Sequence, residues 1–389
     1  MFRSNCTGPS IWFMTLVFLG CSPSPTELAK EPRPIKLAQV SLPAQVPPPT
    51  EVPLDLPPDD DGYLFHDSHF HLTNYVQEGT DIRRFLQIMG DKVGRSMLCG
   101  IPLQQQWMHA GTGDFAPTYY TQTDAPLYYY SFTDAMIAHE YLRLTPEERK
   151  RFDPMITGFN PTDMYAADHI RRVLQVYPGV FSGIGEFSIH KEFVSSKIAG
   201  EVATLGNKAL DRILEFAAEV GLPVVLHCDV NTPFPRPNQD PYIVTKLRAL
   251  ADRHPDTVII WAHIGLGRVV RPVEDQLGMV ERGLRDREPK NIHFDISWDE
   301  TAKYLVGSPE AIKATADLIN QFPKRFLFGT DTVAPQTEEQ YLHVYKLYAP
   351  LLAKLTPEAK HLLLKGNYER IFDEARRSVR AWEAAHKRP

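Results

Sequence analysis

From residue 63 onward, short apolar runs alternate with longer stretches of helical periodicity, and this alternation constrains the fold more than any other feature. Strands are predicted near 63–71, 95–101, 155–159, 181–187, 223–227, 257–263, 291–296 and 325–330. Between them lie segments such as "ALDRILEFAAEVG" (209–221), where Leu210, Ile213, Leu214 and Ala217 share a helical face and Gly221 can end the helix. A strand, a covering helix and a second parallel strand form one repeating unit. Eight such units suggest a closed α/β barrel, (β/α)8 and TIM-like, rather than an open sheet. The 389-residue chain, 43% hydrophobic and 23% charged, has ample material for that core. A formal charge of −6 gives no basic footprint, so a nucleic-acid partner is not expected.

One connection is anomalous. About fifty residues separate the second and third strands, and so long an insertion is expected either to be functional or to carry its own helices, here near 132–142 and 145–152. It also carries Tyr119, Tyr120, Tyr128, Tyr129 and Tyr130. Each reads first as a packing residue, but the cluster, with Tyr129 within it, makes a reasonable wall for a substrate.

The N-terminus is of another kind. After Arg3, "IWFMTLVFLG" is too short to span a bilayer but has the length of a secretory signal's apolar region. It ends in "FLGC", which resembles the bacterial lipobox, although Phe18 stands where a smaller aliphatic residue is usual. Residues 1–21 are thus read as a signal with a lipidation site at Cys21. The expectation is an exported lipoprotein, anchored at the outer membrane by lipid alone and facing the periplasm. Ordinary cleavage to a soluble periplasmic product is the alternative. Residues 22–58 hold eleven of the 33 prolines and read as an extended, disordered tether. Residues 59–389 form the barrel domain. Cys99 and Cys228, on separate strands, read as buried core thiols rather than a disulfide.

The predicted strand ends carry the chemistry. Strand one ends in "FHDSHFHLTN", where His69 and His71, two apart on a strand, share a face. Strand four ends with Glu186 in "SGIGEFSIH", strand five with His227 in "VVLHCD", strand six with His263 in "VIIWAHIGLG" and strand eight with Asp331 in "FLFGTD". A polar residue closing one apolar strand is common. Four histidines and two carboxylates doing so together, on strands whose carboxyl ends converge at one mouth, point to a metal centre. Alternation agrees, with Val225 and His227 on one face and Leu226 on the other. Leu327, Gly329 and Asp331 likewise share a face opposite Phe328. His66, out of phase, reads as structural, and His254, before Pro255, as solvated. His190 is a candidate substrate contact, and Arg236 and Arg268, in loops after strands five and six, are candidate partners for a substrate carboxylate.

The ordered set His69, His71, Glu186, His227, His263 and Asp331 resembles that of the amidohydrolase superfamily. "HDSHFH", "GIGE", "FGTD" and the tail "LLLKGNYERIF" are similar to its amidohydrolase-related branch, which includes aminocarboxymuconate-semialdehyde decarboxylase; TatD-type nucleases share the ligand layout. The resemblance runs from residue 63 to about 377. It implies that His69, His71, His227 and Asp331 bind one divalent metal and that Glu186 can bridge to a second. The lysine that bridges two metals in some members is absent, so one ion or two remain open. Imidazole and carboxylate ligands suit zinc or a similar divalent ion.

The expected reaction is hydrolysis of a small-molecule ester, lactone or amide by metal-activated water, with Asp331 as general base and His263 polarising the substrate. Decarboxylation of an unsaturated carboxylic acid at the same site is the rival reading. A non-catalytic exported binding barrel is the alternative of another class. The oligomeric state is not readable.

Overall fold

A computed structural model describes residues 62–230, 241–268, 275–287 and 289–387. Signal, tether, Cys21 and Arg236 lie outside these residues. Eight strands form one parallel sheet in chain order. They are β1 (Phe65–Asp67), β2 (Val93–Leu98), β3 (Phe152–Ile156) and β4 (Gly183–His190), then β5 (Val224–Cys228), β6 (Ile259–Trp261), β7 (Ile292–Asp295) and β8 (Phe326–Leu327). The sheet closes on itself past the ends of β1 and β8. Phe70 and His71 pair in parallel with Thr332 and Val333, and the Asp331 amide donates to the His69 carbonyl at 2.7 Å. Asp67 clips the same seam: its carboxylate accepts the Thr330 amide (2.9 Å), the Thr330 hydroxyl (2.8 Å) and the His69 amide (3.1 Å). The TIM-like barrel is therefore present.

Period-two alternation sorts the side chains. Met97, Met155, Val225, Ile260 and Leu327 fill the barrel interior in one cluster, whereas Leu226 and Phe328 join the outer core under the helices. Tyr368, Ile371 and Phe372, from the C-terminal helix Asn367–Ala385, belong to the interior cluster. Asp153 ties that helix to the sheet, accepting from Tyr368 Oη (2.7 Å), Arg376 Nε (2.5 Å) and Arg95 Nη2 (2.9 Å). The helix Lys208–Val220 ends at Gly221 with φ 80°, as its sequence indicates.

Two expectations need adjustment. The third strand is Phe152–Ile156 rather than 155–159, because the Thr157 and Gly158 amides leave the ladder and donate to the Asp134 carboxylate at 2.8 and 3.0 Å. His254 is not solvated: it is buried, with Nε2 2.8 Å from Asp211. His66 is buried and bonds Glu369 at 3.0 Å, a structural role as expected. The connection from β2 to β3 holds a two-stranded antiparallel hairpin (Leu103–Gln105 with Leu127–Tyr129) and the helices Phe132–Leu142 and Pro146–Arg149. Cys99 and Cys228 are buried free thiols.

Candidate metal centre

The strand ends bring six side chains to one point. Glu186 is the hinge between two groups. Its Oε2 lies 3.3 Å from His71 Nε2 and 3.7 Å from His69 Nε2, and its Oε1 lies 2.7 Å from His227 Nδ1 and 3.6 Å from His263 Nε2. Asp331 completes the ring, with Oδ1 3.3 and 3.2 Å from His69 and His71 Nε2 and Oδ2 3.8 Å from His263 Nε2. Three overlapping trios, each with ligand atoms within 4.8 Å, describe the cluster: His69–His263–Asp331, His69–His71–Glu186 and Glu186–His227–His263. His227 is thus grouped with Glu186 and His263, and not with His69 and His71.

Each histidine is held by its far nitrogen, which fixes which nitrogen faces inward. His69 Nδ1 is 2.6 Å from Asp295, His71 Nδ1 is 3.2 Å from the Cys99 thiol, His227 Nε2 is 2.9 Å from Asp229 and His263 Nδ1 is 3.1 Å from Ser297. The Ser297 hydroxyl also donates to Asp295 at 2.6 Å, joining the supports of His69 and His263. The inward Nε2 atoms of His69 and His263 are buried and have no hydrogen-bond partner among the described residues. Buried polar atoms without partners are costly. Four inward imidazole nitrogens and two carboxylates, with two of those nitrogens unsatisfied, form a donor set that fits a divalent cation such as zinc.

Electrostatics point the same way. Burial raises the Glu186 pKa, but the Lys191 ammonium, then His227, His263 and His69, outweigh it and hold the carboxyl well below its ordinary range. Burial likewise opposes ionisation of Asp331, yet His69, His71 and His263 keep it below the usual carboxylate value. Both carboxylates are ionised at neutral pH. Two glycines make room for them. A Cβ at Gly185 would stand 2.2 Å from the Val225 carbonyl, and one at Gly329 would stand 2.7 Å from the His69 amide, which accounts for "GIGE" and "FGTD". His263, Trp298 and Asp331 hold positive φ of 58°, 82° and 50°, a backbone cost of ~1–3 kcal/mol each that tends to collect at functional sites.

The remaining candidates fall in different places. His190, the last residue of β4, is exposed, whereas the next residue, Lys191, is buried; irregular register with β5 between Ser188 and His190 re-aims the chain there. Lys191 Nζ lies 3.9 Å from Glu186 Oε1. Arg268 donates to the Tyr119 hydroxyl at 3.1 Å and pairs with Glu300 at 3.2 Å. Tyr129 packs against a small cluster that includes Tyr75, Tyr120 and Leu127. Sequence reasoning missed Lys191, Asp229, Asp295, Ser297 and Trp298. Asp295 was the accessible one, since it is a carboxylate closing an apolar strand, β7.

A closed parallel barrel with a histidine–carboxylate cluster at the strand ends defines a class of metal-site barrels. Within it, a family model described as "Amidohydrolase" matches residues 67–373, and the chain belongs to that family. A search among curated proteins finds no match. Similar solved structures include a zinc-bound amidohydrolase from Burkholderia multivorans, at 12% identity over 80% of this chain and 99% of that one, with a TM-score of 0.49. A dihydroorotase from Campylobacter jejuni is 14% identical over 79% and 83%, TM-score 0.46. A 5-carboxyvanillate decarboxylase from Sphingomonas paucimobilis is 16% identical over 62% and 71%, TM-score 0.37.

Proposed function

We propose that this member of the amidohydrolase family is a metal-dependent hydrolase of a small-molecule ester, lactone or amide. The observation that carries the reading is the pair of buried, unpartnered Nε2 atoms of His69 and His263 facing two ionised carboxylates. His69, His71, Glu186 and Asp331 would hold an ion, with His227 across Glu186 available to a second. A divalent ion there supplies an acidified water at neutral pH and Lewis-acid polarisation of a substrate oxygen.

The chain's own residues do the rest. Asp331, ionised and near the mouth, takes the proton of the water as its oxygen bonds to the carbonyl carbon. It then delivers that proton to the alcohol or amine oxygen or nitrogen as the C–O or C–N bond breaks. His263, held from behind by Ser297, would place Nε2 beside the carbonyl oxygen and, once protonated, donate to the negative charge that develops there. Asp295, Asp229 and Cys99 keep the other imidazoles aimed inward.

The test is a panel of lactones, esters, amides and unsaturated carboxylates offered to the zinc-loaded protein, with acid formation and carbon dioxide release followed together. Acid release from one ester, lactone or amide class, abolished by chelation, supports the reading. Carbon dioxide release without hydrolysis would replace it with the decarboxylase. Export, with lipid attachment at Cys21, is part of the same proposal and is supported by the "FLGC" sequence.

A further inference from the structure

We propose that the carboxyl-end face of the barrel, led by the insertion between β2 and β3, rests on a phospholipid surface, with Trp107, Met108 and Phe115 seated among the headgroups. This goes beyond the hydrolase reading and needs neither the metal nor the reaction.

The argument begins with where the exposed apolar side chains lie. Twelve large hydrophobic residues are exposed among the described residues. Ten of them fall between the carboxyl end of a barrel strand and the first turn of the next long helix, whereas Leu142 and Val176 sit at the carboxyl ends of helices. In a parallel barrel the segments that follow strands stand on one face, here the face that carries the metal centre. Exposed hydrophobic residues scattered singly need no explanation, but a gathering on one face does. Four of the ten, Trp107, Met108, Phe115 and Tyr128, belong to the insertion.

The insertion is a braced platform. Its hairpin packs in a cluster with Tyr75, Tyr120, Val194 and Ile198, the Ala199 amide donates to the Leu127 carbonyl at 2.8 Å, and Lys197 Nζ donates to the Tyr120 and Thr123 carbonyls. Its tip meets the two demands of a lipid surface, few charges and no idle backbone donors. Residues 101–133 hold two acidic side chains and no lysine or arginine, in a chain that is 23% charged. The two ionisable side chains of residues 106–118, His109 and Asp114, lie 3.5 Å from each other. The Gly111 and Thr112 amides donate to the Met108 carbonyl at 2.8 and 3.2 Å, the Gly113 amide to the His109 carbonyl at 2.8 Å, and Trp107 Nε1 to the Gly113 carbonyl at 3.0 Å. Trp107, 52% exposed, and Phe115, 56% exposed, therefore present hydrocarbon with no indole donor left over. A protein partner is the poorer match, since protein interfaces are enriched in arginine and exchange many hydrogen bonds, and this tip has no arginine and bonds to itself. Aromatic side chains of this kind are the usual anchors at headgroup level.

The start of the chain agrees with that occupant. Gly62 precedes β1 and so stands toward the face opposite the mouth, and the forty residues 22–61 separate it from Cys21. Extended at polyproline spacing they reach about 120 Å, against a barrel about 50 Å across. An anchor at Cys21 thus leaves the mouth face free to lie on the same bilayer. Among the described residues no helix is long and apolar enough to cross a membrane, so the contact is with the surface.

The probe is vesicles of phosphatidylcholine with brominated acyl chains, mixed with the full-length protein, and the readout is tryptophan quenching. Trp261, Trp298 and Trp382 are buried, so Trp107 is the exposed indole among the described residues, and Trp107→Phe subtracts its signal while keeping an aromatic ring in place. Wild type should be quenched more than Trp107→Phe, and equally at low and high salt, because the insertion has no basic residue to draw it to the headgroups. Met108→Ser combined with Phe115→Ser, which leaves Trp107 in place, should weaken that partitioning by about 10-fold or more. Equal quenching of wild type and Trp107→Phe overturns the proposal, as does undiminished quenching in the combined variant. Self-association in the ultracentrifuge that is lost in the combined variant, with no quenching by lipid, assigns the face to a second copy and overturns it too. None of these residues belongs to the metal centre, so failure of the hydrolase reading would leave the quenching intact.

Discussion

Asp295 Oδ2 lies 2.6 Å from His69 Nδ1, joining the end of β7 to the end of strand one across 226 residues of sequence. The contact leaves His69 Nε2 pointing at Glu186 and Asp331, so the orientation of a candidate ligand is set by a residue outside the inward-facing cluster. Asp295→Asn should keep the fold and weaken metal affinity by about 10- to 100-fold, the usual cost of losing such a support. Competition against a chelator of known affinity measures it. Unchanged affinity would remove Asp295 from the design of the site.

Asp331→Asn tests the proton path. The amide preserves the volume at a nearly buried position but cannot accept a proton from water. Turnover should fall by about 10²- to 10⁴-fold, with circular dichroism unchanged. Normal turnover would mean that another group is the base.

The acid limb of stability should depend on His293. Burial, then the neighbouring Arg370 and Arg325 charges, lower its pKa to about 3, below the 6.5 of the unfolded chain. Between those values the unfolded chain binds a proton that the folded chain refuses, so folding stability drops as pH falls from 6.5 toward 3. This group contributes at most about 1.4 kcal/mol per pH unit. His293→Gln removes the titration, and urea unfolding at pH 7, 5 and 4 should show a shallower loss than in wild type. Equal slopes would contradict the assignment.

Attachment through Cys21 is tested at the mature N-terminus. Mass spectrometry should find acyl chains on Cys21, and Cys21→Ala should move the protein from the membrane fraction to a soluble exported or unprocessed form. An unmodified terminus elsewhere would remove the anchor and leave the barrel chemistry untouched.

Much of the site was legible because it sits where strands end. The apolar runs announce the strands, period-two alternation places His69 with His71 and Val225 with His227, and convergence at one mouth follows from the topology. What could not be read lies in departures from that regularity. Irregular register in β4 exposes His190 and buries Lys191, a phase change that alternation from Glu186 cannot reveal. Trp298 reaches the mouth through a positive φ. His254 found Asp211 on a neighbouring helix, a pairing invisible from its own surroundings in the sequence. The third strand lies three residues earlier than the sequence suggests, because the Thr157 and Gly158 amides that would continue it are held by Asp134.

Metal titration tests the central claim most directly. Protein stripped by chelation should be inactive toward its hydrolysable substrate, and activity should return in proportion to added zinc, saturating at one or two equivalents. A variant carrying His69→Ala and His71→Ala should bind less zinc and gain no activity, while keeping its secondary structure by circular dichroism. Full activity in the stripped protein, or wild-type zinc uptake and turnover in the double variant, would contradict the account.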